Sequence, residues 1–178
     1  MKMTVKKRMM RITSVIIALL MLLAMSSSVF AAGITSKSAQ SKALKNAKLT
    51  KAKVYNLKTK YDKGDRCFDV KFNRNKDKAK FEYEIRKIDG KIVEKSIDYR
   101  YKRNSSRKKI GKLAAQKAAA KASGVRLSVV KKGKCKYEYD DGEGIYEVEF
   151  RNGKYKYEIE ILAPTGKITD YSWEYKGR

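Results

Sequence analysis

Apolar and polar residues alternate with a period of two along most of the C-terminal two-thirds of this 178-residue chain. Leu57, Thr59 and Tyr61 alternate with Lys58 and Lys60, and Phe68, Val70 and Phe72 with Asp69 and Lys71. Phe81, Tyr83 and Ile85 enclose Glu82 and Glu84, and Ile97, Tyr99 and Tyr101 form a fourth run. Such alternation marks antiparallel strands with one buried face. Lys63-Gly64-Asp65 and Asp89-Gly90 supply turns between them. The same pattern returns further on. Cys135, Tyr137 and Tyr139 precede Tyr146, Val148 and Phe150, then Tyr157 to Ile161, then Tyr171, Trp173 and Tyr175. A helical pattern precedes each set. Ala115, Ala119 and Ser123 recur at four-residue spacing on a helix over 110–123 that stops at Gly124, and Ala39, Ala43 and Ala47 hold the matching places upstream. Small side chains there let a helix approach a sheet closely.

The two halves are therefore read as copies. Phe81-Glu-Tyr-Glu-Ile85 with Gly90-Lys-Ile92 answers Tyr157-Glu-Ile-Glu-Ile161 with Gly166-Lys-Ile168 at an offset of 76. The offset is 78 at the second strand, which places two extra residues in the loop near 128–133 and sets Cys135 against Leu57. The expected fold is α+β: two tandem units, each an N-terminal helix packed on its own four-stranded antiparallel sheet. The first spans 32–101, the second 110–178, with a basic linker over 102–109. Glu147, Glu149, Glu158 and Glu160 fall on outward strand faces, where a salt-bridged surface is expected.

The N-terminus changes the setting. Lys2, Lys6, Lys7, Arg8 and Arg11 precede an apolar run from Val15 to Met25, and Val29 and Ala31 suit a cleavage site. Residues 1–31 read as a secretory signal peptide, and the run is shorter than the ~20 residues that span a bilayer. The chain is expected to be secreted or envelope-associated. It has a formal charge of +25. Residues 33–108 hold 24 basic and 9 acidic side chains, so the first half is the more cationic. An exported polycation meets anionic wall polymers, anionic lipid surfaces or acidic proteins rather than nucleic acid. The densest candidate contacts are Arg74, Lys76, Lys78 and Lys80, with Lys102, Arg103, Arg107, Lys108 and Lys109.

Little points to catalysis. There is no histidine, which removes His triads, bases and metal ligands. Asp140-Asp141-Gly142-Glu143 is too short for a calcium loop, which spreads its ligands over about twelve positions, and reads as a hairpin turn. No cofactor or metal is expected. Export permits a disulfide, and Cys67 to Cys135 is the candidate, beside the alternative of two free thiols. The strand tyrosines and Trp173 read as core or cross-strand packing, with a surface contact row of Tyr171, Trp173 and Tyr175 for carbohydrate or peptide as the alternative.

The second half resembles a PepSY domain. The likeness rests on the alanine-rich helix ending Ala122-Ser123-Gly124-Val125, the Tyr146-x-Val-x-Phe150 strand, the 157–161 strand and Ala163-Pro-Thr-Gly166-Lys-Ile168. It covers 110–175 well and 37–101 more weakly. The resemblance implies a non-catalytic exported module that binds protein, with regulation or inhibition of an extracellular peptidase as its proposed role. Binding would use edge-strand pairing or a sheet face with aromatic anchors. Adhesion to anionic wall polymers or membrane surface is the alternative.

Overall fold

The computed structural model describes residues 33–100, 108–140 and 142–177. Residues 1–31, expected to be a signal peptide, and most of the linker, including Lys102, Arg103 and Arg107, lie outside the described residues. Residues Ile34–Arg178 form one compact unit.

Alternation produces strands where it was expected, except that the fourth covers Ile92–Asp98 and ends before Tyr99, while Tyr101 lies outside the described residues. Helix α1 (Ser36–Ala47) leads through a 3-10 turn (Lys51–Lys53) to β1 (Val54–Asp62), β2 (Cys67–Arg74), β3 (Lys80–Arg86) and β4 (Ile92–Asp98). Helix α2 (Lys112–Ser123) and the short α3 (Leu127–Val130) precede β5 (Lys134–Asp140), β6 (Glu143–Asn152), β7 (Tyr155–Leu162) and β8 (Ile168–Tyr175). Thr35 caps α1, its hydroxyl accepting from the Ser38 amide. Gly124 ends α2 in a left-handed conformation that its missing Cβ makes cheap.

The assembly departs from the expectation. There are not two units with separate four-stranded sheets. One eight-stranded antiparallel sheet runs in the order β1-β2-β3-β4-β8-β7-β6-β5. Strand β4 pairs with β8, bringing Ile97 opposite Tyr171 and Lys95 opposite Trp173. Two physical reasons favour the merger. Separate sheets would each leave β4 or β8 as an edge of unpaired amides and carbonyls. Separate units of this size would also bury little core. The buried apolar residues accordingly form one cluster, from Ala39, Val70 and Ile85 to Ala119, Val148 and Ile159.

The strand order is palindromic about the β4–β8 pair, and details recur across it. Register shifts fall between Glu84 and Ile85 in β3, and between Glu160 and Ile161 in β7. Phe72 stacks on Phe81 at 5.1 Å, as Phe150 does on Tyr157 at 4.8 Å. Another expectation is corrected by the register. Tyr61 faces Phe68, and Tyr137 faces Tyr146. Tyr137 thus matches Tyr61, and Cys135 matches Thr59 rather than Leu57. The two extra residues lengthen the β5–β6 hairpin, which closes between Asp140 and Glu143, and not the loop before it.

Candidate functional site: the open face of the sheet

Both long helices pack on one face. Ala39, Ala43 and Leu44 of α1, and Ala115, Gln116 and Ala119 of α2, are buried there. The other face carries the alternate residues of every strand. In an antiparallel sheet, directly opposed side chains share a face with Cβ atoms about 4.5–5.5 Å apart. The register therefore fixes which residues meet.

Two rows of carboxylates result. Asp69 opposes Glu84, Glu84 opposes Glu94, and Glu94 opposes Glu174 across the β4–β8 seam. In the other row Glu147 opposes Glu160, Glu160 opposes Asp170, and Asp170 opposes Asp98 across the same seam. Between them runs a mixed row: Lys71 bonds Glu82 at 3.0 Å, Ser96 faces Ser172, and Lys156 reaches Glu149 at 3.5 Å. Like charges directly opposed destabilise a sheet, yet the two rows hold eight carboxylates so arranged, and Glu149 opposes Glu158 between them, in a chain of net charge +25.

The carboxyl groups register the crowding. Partial burial, then Glu94 and Asp69, push Glu84 up to about 6. Partial burial, then Glu160 and Asp98, push Asp170 up to about 6. Glu94 is raised by burial and by Glu174. Two shallow depressions of about 90 Å³ open on this face, one beside Asp69, Glu84 and Glu94, the other beside Glu94, Ser172 and Glu174. Among the described residues no group of three or more Asp, Glu or Cys is arranged to hold a metal ion. The two rows make this face locally anionic.

The residues singled out from sequence fare differently. Arg74 is held by Asp77, its Nε donating to Oδ1 at 2.8 Å, and lies over the Phe81 and Tyr99 rings. Lys80 pairs with Glu82 on the open face. Lys78 lies 5.0 Å over Tyr55, while Lys76 is exposed in the β2–β3 loop. Lys109 sits 3.6 Å over Tyr137 of β5, at the far edge of the sheet, with the exposed Lys108 its chain neighbour. The structure thus does not gather the 74–80 loop and Lys108–Lys109 into one patch.

Nor is there a surface aromatic row. Tyr171, Trp173 and Tyr175 lie on the helix side of β8. Tyr171 is buried and Trp173 packs against the core. Tyr175 meets Tyr155 edge-on and is covered by the Lys91 ammonium at 3.1 Å. The disulfide expectation is also corrected: Cys67 and Cys135 are both free. They stand on β2 and β5, six strand spacings apart, roughly 29 Å at the usual interstrand distance. A disulfide needs Cα atoms within about 7 Å. Sequence reasoning found the outward glutamates and expected them to be salt-bridged, which holds for Glu149 and Glu158, both paired with Lys156, while Glu147 and Glu160 face other carboxylates. The pairing of β4 with β8, which completes both acidic rows, has no signal in either half taken alone.

No protein-family model and no curated protein matches the sequence. Among solved structures, the Bacillus megaterium YpeB C-terminal domain is similar at 11% identity and a TM-score of 0.47, over 82% of this chain and 64% of that one. This chain therefore spans less than two thirds of that structure. A DUF2874 family protein from Bacteroides uniformis is 18% identical over 73% of this chain and 83% of its own, with a TM-score of 0.27. A candidate lipoprotein from Clostridium difficile is 13% identical over 80% and 95%, with a TM-score of 0.32.

Proposed function

We propose that this protein is an exported, non-catalytic, PepSY-like binding module whose open sheet face docks a cationic surface of another protein. The observation that carries the reading is the pair of acidic rows. Each holds four carboxylates directly opposed on half-buried strands, at a cost in stability that a basic partner would repay. A lysine- or arginine-rich partner fits the rows by charge, and the platform needs no rearrangement to receive it. An extracellular peptidase with a basic surface beside its active site is the partner class that the PepSY-like motifs point to. Occupying that surface would restrain it sterically.

The test is binding of the purified protein to the secreted peptidases of its host, measured by surface plasmon resonance alongside peptide hydrolysis. At least one peptidase should bind and slow. The triple variant Glu84→Gln, Glu94→Gln, Asp170→Asn should lose about tenfold or more in affinity, since close charge pairs at interfaces couple by ~1.5 kcal/mol or more. Absence of any binding, or binding indifferent to the three substitutions, would refute the reading.

A further inference from the structure

On the helix side, away from the acidic rows, a cleft of about 630 Å³ opens between the 3-10 turn and the β2–β3 loop. It is lined by Leu49, Ala52, Lys53, Arg74, Asn75 and Lys76. No carboxylate lines it. Arg74 is neutralised by Asp77, but Lys53 and Lys76 are exposed, and neither ammonium has an ion-pair or hydrogen-bond partner among the described residues. The frame that carries them is fixed. The Asn75 amide donates to the Lys53 carbonyl at 2.9 Å, and Asn75 Nδ2 to the Ala52 carbonyl at 3.1 Å. Two unneutralised cations are thus held together at one cleft.

Across the palindrome a second cleft of about 380 Å³ lies between α3 and the β6–β7 end. It presents Lys132, Lys134 and Arg151. Its one carboxylate, Glu149, is already engaged by Lys156.

We infer that these two clefts bind successive segments of a polyol phosphodiester chain, a flexible polymer carrying one negative charge per repeat. Three features select it. Charge at two separated places on one molecule favours a polymer over a single anion, because the second contact becomes intramolecular. The cations line open surface depressions, which a flexible chain can follow more closely than a flat bilayer surface can. The first cleft offers Leu49 and Ala52 but no aromatic ring, and Phe150 in the second is buried, so neither supplies the stacking platform that single-stranded nucleic acid uses.

The experiment is fluorescence anisotropy of the purified protein with labelled poly(glycerol phosphate) of roughly ten repeats, at low and high salt. Lys53→Gln with Lys76→Gln should weaken binding about tenfold, while Lys37→Gln with Lys117→Gln, equal in charge but on exposed helix positions, should cost less than about threefold. Lys132→Gln with Lys134→Gln should weaken the long chain and leave a two-repeat fragment unaffected. Equal loss in the helix control would overturn the site, because net charge alone would then explain binding. Equal affinity for an oligothymidylate of the same charge, or binding to phosphatidylglycerol vesicles without binding to the soluble polymer, would overturn the ligand.

Discussion

Ser96 and Ser172 stand directly opposite each other on the open face, at the midpoint of the β4–β8 pair. On the helix side of the same seam, Ile97 meets Tyr171, both buried. The seam is therefore both a hydrogen-bonded ladder and a piece of core, and it binds the two halves into one folding unit.

Unfolding should follow that unity. Trp173 is the sole tryptophan and reports the second half, while Cys67 is buried in the first. Urea transitions followed by Trp173 fluorescence and by Cys67 thiol labelling should coincide, as two-state behaviour requires. Ile97→Ala removes buried core at the seam and should cost about 3 kcal/mol, shifting both transitions together. Two separated midpoints would mean that the halves fold independently and that the seam is weak.

Helix ends give a second, more local prediction. Lys48 and Gly124 occupy the same place after α1 and α2, and both are left-handed, with φ of 56° and 69°. A side chain with a Cβ pays about 1 kcal/mol in that region, which glycine avoids. Lys48→Gly should raise stability by about 0.5 kcal/mol after the added freedom of the unfolded chain is counted. Gly124→Ala should lower it by about 1 kcal/mol, although open space surrounds the new methyl. Thermal melts of the two variants, moving in opposite directions from the parent, check the pair.

Much of this fold can be read before any coordinates are seen, because its signals are local. Period-two alternation names the strands around Val70, Tyr83, Val148 and Ile159, and alanines at four-residue spacing name the helix faces. The merger cannot be read. Nothing in Ile92–Asp98 states that its second edge faces β8 rather than solvent, because both outcomes bury the same Ile97. The acidic rows inherit that blindness. Asp98 and Asp170 are 72 positions apart in the chain, and only the seam register sets them opposite. The aromatic residues of β8 follow the same local logic: alternation puts Tyr171 and Trp173 on the apolar face, and that face is the one the helices cover.

The cysteines test the strand order itself. Cys67 donates to the Asp65 carbonyl at 3.3 Å, and burial pushes its thiol up; burial also raises Cys135, which is half-buried. Each unfolded chain should yield two alkylatable thiols without reductant. In the folded protein both should react slowly, because the thiolate is the nucleophile, with Cys67 the slower. Electrophoretic mobility should be the same with and without reductant. An intramolecular Cys67–Cys135 bond found by peptide mapping would contradict the sheet order.

The crowded carboxylates make an unusual pH dependence. Glu84 and Asp170 titrate near 6 in the fold against ordinary values of 4.5 and 3.8. Between those limits the folded state holds protons that the unfolded state has released, so stability falls as pH rises. The contribution is complete below about pH 4 and is lost as pH climbs through 6. Pairs of the opposite kind act lower down: Arg86 holds Asp89 at about 2, and Arg74 lowers Asp77. Their support is present above the ordinary aspartate range and disappears only on stronger acidification. The melting temperature should therefore be higher near pH 5 than at pH 7, and should drop again in stronger acid. In Glu84→Gln with Asp170→Asn the rise between pH 7 and pH 5 should flatten while the acid limb stays. A parent protein whose melting temperature climbs steadily from pH 5 to pH 7 would show that the opposed carboxylates are relieved in solution and impose no cost for a basic partner to offset.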